Sequence, residues 1–183
     1  MVIRFLLLMA LALPASAAEV AGVKFDDKAR VEGAELALTG AGLRKRLFFQ
    51  VYAIGLYVQD RRGDPVTQGG AKRVAIRMLR DVDAATFTQA LVDGMRPNHD
   101  EATMRSLEPR IAQLSAIMAD MKEAKEGMAI ALDWLPGGGT RVTIDGKPAG
   151  QPIAGEDFYR ALLRIWLGEH PVQDDLKKAL LGL

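Results

Sequence analysis

The segment GLRKRLFFQVYAIGLYV, residues 42–58, joins three consecutive cations to a long apolar run. Its second half is apolar at both odd and even positions, a pattern typical of a strand buried on both faces. We expect a single strand over residues 43–58, the longest of the chain. An inward-facing arginine at its start must meet a carboxylate, a carbonyl cluster or an anionic ligand, because burying an unpaired guanidinium is very costly. The alternative interpretation leaves the cations at 44–46 solvated.

In an unbroken strand, alternate side chains share one face of the sheet. The first face carries Arg44, Arg46, Phe48, Gln50 and Tyr52, and the second carries Lys45, Leu47, Phe49, Val51 and Ala53. The planar fork of arginine can donate two parallel hydrogen bonds to a carboxylate or a phenolate. The arginines of the first face are therefore candidate anion-binding residues.

The first 17 residues, MVIRFLLLMALALPASA, have the pattern of a secretory signal peptide. Arg4 precedes an apolar run at 5–13, and small residues at 15–17 supply a cleavage site. The run is shorter than the roughly 20 apolar residues that a spanning helix needs. We expect cleavage after Ala17, which leaves an exported domain over residues 18–183, periplasmic or secreted, with no stable membrane anchor.

The chain contains no cysteine, so we expect its fold to depend on the core and not on disulfides. A mature chain of about 165 residues suffices for one domain, because it buries roughly two thirds of its unfolded surface. Removal of Arg4 with the leader leaves 23 basic and 23 acidic residues. This balance gives no support to nucleic-acid binding or to a polybasic membrane-binding surface.

Strand patterns flank a helical middle and recur after it. The expected strands are residues 19–27, 34–42, 43–58, 72–80, 127–135 and 140–146. A surface loop is expected at residues 60–70, and a PGGG turn joins the last two strands into a hairpin. Asp145-Gly146 marks a further tight turn.

Helical patterns occupy four segments. The expected helices are residues 84–95, 101–123, 156–168 and 172–182. The second has an apolar stripe at spacings of three and four, formed by Met104, Leu107, Ile111, Leu114, Met118 and Met121. Pro109 predicts either a kink in this helix or a start nearer Leu107, because proline is tolerated only in the first turn. The order of elements, without βαβ alternation, predicts an α+β fold: an antiparallel sheet with helices on one side.

The usual catalytic signatures are missing from the sequence. There is no thiol nucleophile, and the two histidines, His99 and His170, lack the paired spacing of a zinc site. Each histidine lies beside a proline-containing break between predicted helices, and both are expected to be structural or solvent-exposed. The glycines at 40–42 lack the third glycine and the following helix of a phosphate-binding loop. We expect no metal and no cofactor.

Three stretches resemble the chalcone-isomerase-like family, in the same order along the chain. They are GAGLRKRLFFQVYAIGLYV (40–58), MLRDVDAATFTQALVDGM (78–95) and RIWLGEHPVQDDLKKALLG (164–182). The resemblance implies an open-faced β-sandwich, in which a layer of helices covers a large antiparallel sheet. This agrees with the α+β order read from the strand and helix patterns.

The plant enzymes of that family cyclise a chalcone to a flavanone, and an arginine there attracts the phenolate of the substrate. Arg44 falls on the position of this arginine, and Tyr52 falls on that of a threonine that orders water. Phe87, Gly94 and Ile165 fall on the positions of a tyrosine, an asparagine and a second threonine. The resemblance therefore implies no chalcone cyclisation here, because these three side chains carry no group to hold water.

The non-catalytic plant fatty-acid-binding proteins of the family are more similar. In them an arginine and a tyrosine hold the acid head group while the acyl chain lies in an apolar cleft. Arg44 and Tyr52 match these two residue types, and Phe87 and Trp166 are expected to line the cleft.

The spacing of Arg44 and Tyr52 conflicts with a shared carboxylate, since eight residues of straight strand span about 26 Å. A hairpin folding near Phe48 would bring the two together. However, RLFFQ contains no Gly, Asn, Asp or Pro for a turn, and no residue signals a bulge. Arg46 is an alternative partner for Tyr52.

Three functional hypotheses are compatible with the sequence. The leading hypothesis is an exported, non-catalytic protein that binds a fatty acid or a similar amphipathic anion at Arg44. The second is an isomerase or intramolecular lyase acting on a phenolic or enone substrate, with Tyr52 as the hydroxyl nearest to Arg44. The third is a structural or interaction module with a filled core and solvated cations at 44–46.

Overall fold

The computed structural model describes residues 17–183, so the predicted signal peptide lies outside the described residues except for Ala17. The strands are β1 (Ala18–Val20), β2 (Val23–Phe25), β3 (Lys28–Val31), β4 (Ala34–Arg46), β5 (Phe49–Val58), β6 (Lys72–Met78), β7 (Val82–Asp83), β8 (Glu123–Ala124), β9 (Ala129–Leu135), β10 (Gly139–Ile144) and β11 (Lys147–Ile153). The helices are α1 (Ala84–Met95), α2 (Glu101–Ala119), α3 (Glu156–Leu167) and α4 (Asp174–Leu180), and a 3₁₀ turn spans Arg96–Asn98.

Seven strands form one antiparallel sheet in the order β11-β10-β9-β6-β5-β4-β3. The helices pack on one face of this sheet, where Ile54 and Ile76 meet Phe158 and Trp166 in the main core. A smaller core around Phe25 lies on the other face, which the β1–β2 hairpin covers in part. The α+β prediction is confirmed, and β5 is buried on both faces because each face has its own core.

The strand expected over residues 43–58 is the main error of the sequence-based prediction. The chain reverses at Leu47 and Phe48, so β4 and β5 form a hairpin with Arg46 opposite Phe49. Leu47 makes the turn by adopting a left-handed backbone with φ of 54°. Such a conformation costs a bulky residue about 1–2 kcal/mol. Glycine or asparagine usually occupies it, so a leucine there gives no local signal of a turn.

A β-bulge next to the turn sets the register of Arg44 and Tyr52. Lys45 pairs with Gln50, but Arg44 pairs with Tyr52, so Val51 is the extra residue on β5. Arg44 and Tyr52 therefore lie directly opposite each other on adjacent strands. Arg46 lies opposite Phe49 instead, although it lines the same cavity as Tyr52.

The helix α2 is continuous from Glu101 to Ala119 and contains Pro109 in its interior. A start nearer Leu107 is wrong, because Asp100 caps the helix by accepting a hydrogen bond of 2.7 Å from the backbone N–H of Thr103. The cap and the buried apolar stripe outweigh the backbone hydrogen bond that proline removes. Among residues 17–183, no helix is both long and apolar enough to cross a membrane.

The glycines of the GAG sequence allow α4 to pack directly on β4. A Cβ placed on Gly40 would lie 2.0 Å from the carbonyl oxygen of Ala179, and one on Gly42 would lie 2.6 Å from Leu176. The close approach of α4 to β4 at these two glycines brings the N-terminus of α4 beside the end of β4. Gln173 is thereby positioned next to Arg44.

Candidate functional site

A cavity of about 480 Å³ lies between the β4–β5 hairpin, α1 and the start of α4. Its apolar walls include Val51, Val82, Phe87, Leu91, Ile165 and Val172. Arg44, Arg46, Tyr52 and Arg80 also line it, so cations and one phenol face these apolar walls. The remaining polar lining residues are Asp81, Asp83 and Thr86. This combination of apolar walls with a few convergent polar groups is typical of a small-molecule site.

Arg44 is held in place by the residue that precedes α4. Its Nη1 donates hydrogen bonds to the carbonyl oxygen of Lys45 at 2.6 Å and to Oε1 of Gln173 at 3.3 Å. The Gln173 amide also accepts from the backbone N–H of Lys45 at 2.9 Å and donates to the carbonyl oxygen of Leu43 at 3.0 Å. Gln173 therefore joins α4 to β4 and limits the orientations open to the guanidinium.

Tyr52 is buried at the base of the site. Its hydroxyl accepts a hydrogen bond of 2.9 Å from Nε1 of Trp166, and its ring packs edge-to-face on Phe87 with centroids 6.2 Å apart. Burial raises the pKa of Tyr52, although the Trp166 hydrogen bond and the charge of Arg44 both oppose this rise. Tyr52 is therefore a neutral hydroxyl near neutral pH, suited to donate a hydrogen bond and not to carry a phenolate.

Charged groups surround the rim of the cavity. Arg80 lies over the ring of Phe49, with Cζ 4.6 Å from the ring centroid, and closes one side of the rim. Asp81 and Asp83 also line the cavity, but each accepts a backbone hydrogen bond, Asp81 from Glu126 at 2.7 Å and Asp83 from Thr86 at 2.9 Å.

Three positions that hold polar groups in the plant enzymes are apolar here and close-packed. Phe87 and Ile165 are 3% and 1% exposed. At Gly94 a Cβ would lie 2.8 Å from Ile165 and 2.9 Å from Val172, so α1 could not accommodate an asparagine there without moving away from α3. The water-ordering set of the enzymes therefore has no counterpart at these positions.

The five ligand-binding residues predicted from the sequence lie close together. Arg44, Arg46, Tyr52 and Phe87 line the cavity, whereas Trp166 lies behind Tyr52, 1% exposed, and supports its hydroxyl. Their roles in binding stay a prediction.

Two residues of the site, Gln173 and Arg80, were missed by the sequence reasoning. Gln173 lies 129 positions from Arg44, and a single glutamine before a helix has no pattern that links it to a distant arginine. Arg80 follows β6, and the sequence pattern assigns it only to the end of a strand over residues 72–80. Its placement beside Phe49 depends on the β4–β5 hairpin, which had no local signal.

The histidines lie at chain junctions outside this cavity. His99 Nδ1 lies 2.8 Å from the carbonyl oxygen of Met95, at the end of α1. The backbone of His170 exchanges two hydrogen bonds with the side chain of Asn98, at 3.0 and 2.9 Å. Asn98 therefore ties the loop after α3 to the 3₁₀ turn and contributes no group to the cavity.

Comparison with known proteins agrees with this fold. A crystal structure of a fatty-acid binding protein from Arabidopsis thaliana superposes with a TM-score of 0.71 at 16% sequence identity, covering 91% of this chain and 96% of that chain. A search of curated protein sequences found no match. The family model described as chalcone isomerase-like matches residues 17–182. The chain belongs to the chalcone isomerase-like family.

Proposed function

We propose that this protein binds a fatty acid or a similar amphipathic anion without transforming it. The observation that carries the proposal is the direct pairing of Arg44 with Tyr52 across the β4–β5 hairpin, beside an apolar cavity. The pair is able to hold one carboxylate, because the two residues are cross-strand neighbours and not separated by a straight strand. The name of the Arabidopsis neighbour supports the same ligand class.

Arg44 retains the means to bind a head group while it stays anchored. Both of its hydrogen bonds leave from Nη1, and a guanidinium has five N–H donors on three nitrogens. Nη2 and Nε can therefore donate to a carboxylate, and the hydroxyl of Tyr52 can donate to it as well. Gln173 reduces the entropy lost on binding by holding the arginine before the ligand arrives.

The acyl chain would lie against the apolar walls of the cavity. The volume of about 480 Å³ falls within the range of small-ligand sites, roughly 300–1,000 Å³. A structural or interaction module with a filled core would have no cavity beside the sheet. The described residues form such a cavity, so they do not favour that alternative.

The geometry favours binding over isomerisation. A proton-transferring hydroxyl needs a pKa near the working pH, whereas burial raises the pKa of Tyr52. The hydroxyl already accepts a hydrogen bond from Trp166. Phe87 and Ile165, which also line the cavity, have no group to relay a proton.

Replacement of Arg44 by glutamine tests the charge anchor. Hydrogen bonds to charged groups contribute about 1.5–3 kcal/mol, so Arg44→Gln should weaken binding of hexadecanoate by about 10- to 100-fold. Binding of the methyl ester should change by no more than about threefold, since the ester carries no charge. Isothermal titration calorimetry of both ligands measures the difference.

Arg61→Gln is the matched control, because it removes the same charge from an exposed loop position. It should leave both affinities unchanged. Equal losses for the acid and the ester in Arg44→Gln would contradict the charge anchor. Failure of the unmodified protein to bind hexadecanoate, together with native mass spectra free of lipid, would overturn the proposed function.

We further propose that the first 17 residues direct export and are removed. The sequence pattern of the leader supports this, and β1 begins at Ala18. The protein purified from the periplasm or the medium should have the intact mass of residues 18–183. Ala17→Arg, which places a large cation at the cleavage site, should leave the precursor uncut. A cytoplasmic product that retains Met1 would contradict export.

A further inference from the structure

The tip of the β4–β5 hairpin exposes an unusual amount of apolar surface. Four large apolar side chains are strongly exposed within residues 17–183, and three of them are the consecutive residues Leu47, Phe48 and Phe49, at 85%, 98% and 57%. The fourth is Leu183, the C-terminal residue. A contiguous exposed apolar patch is typical of an interaction surface.

Stability does not explain the residue at the turn itself. Leu47 has a left-handed backbone, which glycine or asparagine adopts at a lower cost. Its side chain is also largely exposed, so it gains little from packing within the chain. An apolar residue at this strained, solvent-facing position is explained by burial against something outside the chain.

Cations surround the apolar tip. Lys45 and Arg46 precede it and are exposed, and Arg80 lies over the ring of Phe49. The charge balance of the whole chain hides this cluster, because the segment 42–49 carries three cations and no acidic residue. The nearest carboxylates on the rim, Asp81 and Asp83, are both engaged by backbone N–H groups.

We propose that this tip docks the protein on the surface of an anionic phospholipid bilayer. Phe48 and Leu47 would enter the interface, and Lys45, Arg46 and Arg80 would lie at the level of the head groups. The charge complementarity of the tip selects a bilayer over a second copy of this chain, since two such tips would repel each other.

The docking surface continues into the cavity. Leu47 and Phe49 belong both to the tip and to the cavity lining, so a docked tip would bring the opening of the cavity to the acyl region of the bilayer. This inference extends the proposed function by giving the ligand a route that avoids water. The docking inference can be tested separately from the proposed function, because vesicle binding needs no ligand in the cavity.

The test is sedimentation of the protein with vesicles of phosphatidylcholine, with and without phosphatidylglycerol. The unmodified protein should bind the anionic vesicles. Phe48→Ser should weaken this binding by about tenfold or more, because it removes the most exposed apolar side chain of the tip. Leu183→Ser, which removes an equally exposed apolar side chain elsewhere, should bind like the unmodified protein.

The electrostatic part is tested on the same vesicles. Lys45→Gln should lose about fivefold in affinity for anionic vesicles, since one cation near an anionic surface contributes about 1 kcal/mol, and Arg61→Gln should lose nothing. The fluorescence of Phe48→Trp should shift to the blue on binding, because the two native tryptophans are already buried.

Three results would overturn the docking inference. These are no vesicle binding by the unmodified protein, equal binding by Phe48→Ser and Leu183→Ser, or a vesicle-free dimer that Phe48→Ser dissociates. The last would assign the tip to a second copy of the chain. Vesicle binding without hexadecanoate binding would instead support the docking surface while the proposed function fails.

Discussion

Replacement of Gly40 by alanine is expected to lower the free energy of unfolding by about 3 kcal/mol, the upper end of the range for overpacking. The added Cβ would lie 2.0 Å from the carbonyl oxygen of Ala179 and 2.9 Å from that of Leu180. Both are backbone atoms of α4, which cannot move aside as a flexible side chain does. The whole helix must therefore shift away from β4.

Thermal unfolding followed by circular dichroism measures this effect, as a decrease in Tm of about 6–12 °C for a domain of this size. Gly69→Ala is the matched control, because a Cβ at Gly69 meets nothing within 4 Å and its backbone is not left-handed. An equal Tm for the two variants would contradict close packing of α4 on β4.

The same substitution should also weaken ligand binding, since α4 carries Gln173 at its N-terminus. A shifted α4 would release the guanidinium of Arg44 from its hydrogen bond. Below the Tm of the variant, hexadecanoate affinity should therefore fall in Gly40→Ala and stay unchanged in Gly69→Ala. This result would show that the position of α4 affects binding even when the charge of Arg44 is retained.

Replacement of Asp133 by alanine is the second substitution with a large expected effect. Asp133 is 2% exposed and pairs across β9 and β6 with Arg73, which donates from Nε at 2.6 Å and from Nη2 at 2.7 Å. Removing one partner of a buried pair costs about 3–5 kcal/mol. We expect about 3 kcal/mol here, because the Arg73 side chain is 24% exposed and reaches water.

A cycle of Arg73→Leu, Asp133→Leu and the double variant, measured by chemical denaturation, tests the pair. Arg73→Leu combined with Asp133→Leu should recover most of the stability, because no charge is then left buried. Asp60→Ala is the control, since Asp60 forms a similar two-pronged pair with Arg62 on the surface and its loss should change little. Additive losses in the cycle would contradict coupling between Arg73 and Asp133.

Local patterns predicted most of the elements. The structure buries the alternating residues Val74, Ile76 and Met78 of β6, and most of the stripe from Met104 to Met118 in α2. A side-chain period of two, or of three to four, directly determines which face of an element is buried. The α4 prediction, residues 172–182, is two residues too long at each end. Helix ends depend on capping contacts that reach outside the helix.

The prediction failed where the chain departs from local preference. Residues 43–58 have the composition of a strand throughout, and the turn contains Leu47 and Phe48 instead of turn-forming residues. Pairing of β4 with β5, and of β5 with β6, outweighs the strain at Leu47. The β5–β6 pairs lie outside any short window around the turn, and the β4–β5 hairpin gives no signal of its own because its turn lacks turn-forming residues.

By itself, the sequence determined the α+β class, the resemblance to the family and the identity of Arg44 and Tyr52 as the candidate head-group residues. The tertiary structure alone decided that the two residues meet, because the hairpin and the bulge at Val51 place them opposite each other. It also decided what holds Arg44, since Gln173 arrives on a helix whose approach depends on Gly40. The physical reason is common to both: periodicity and turn chemistry are local, whereas strand register and helix approach are set by packing between distant segments.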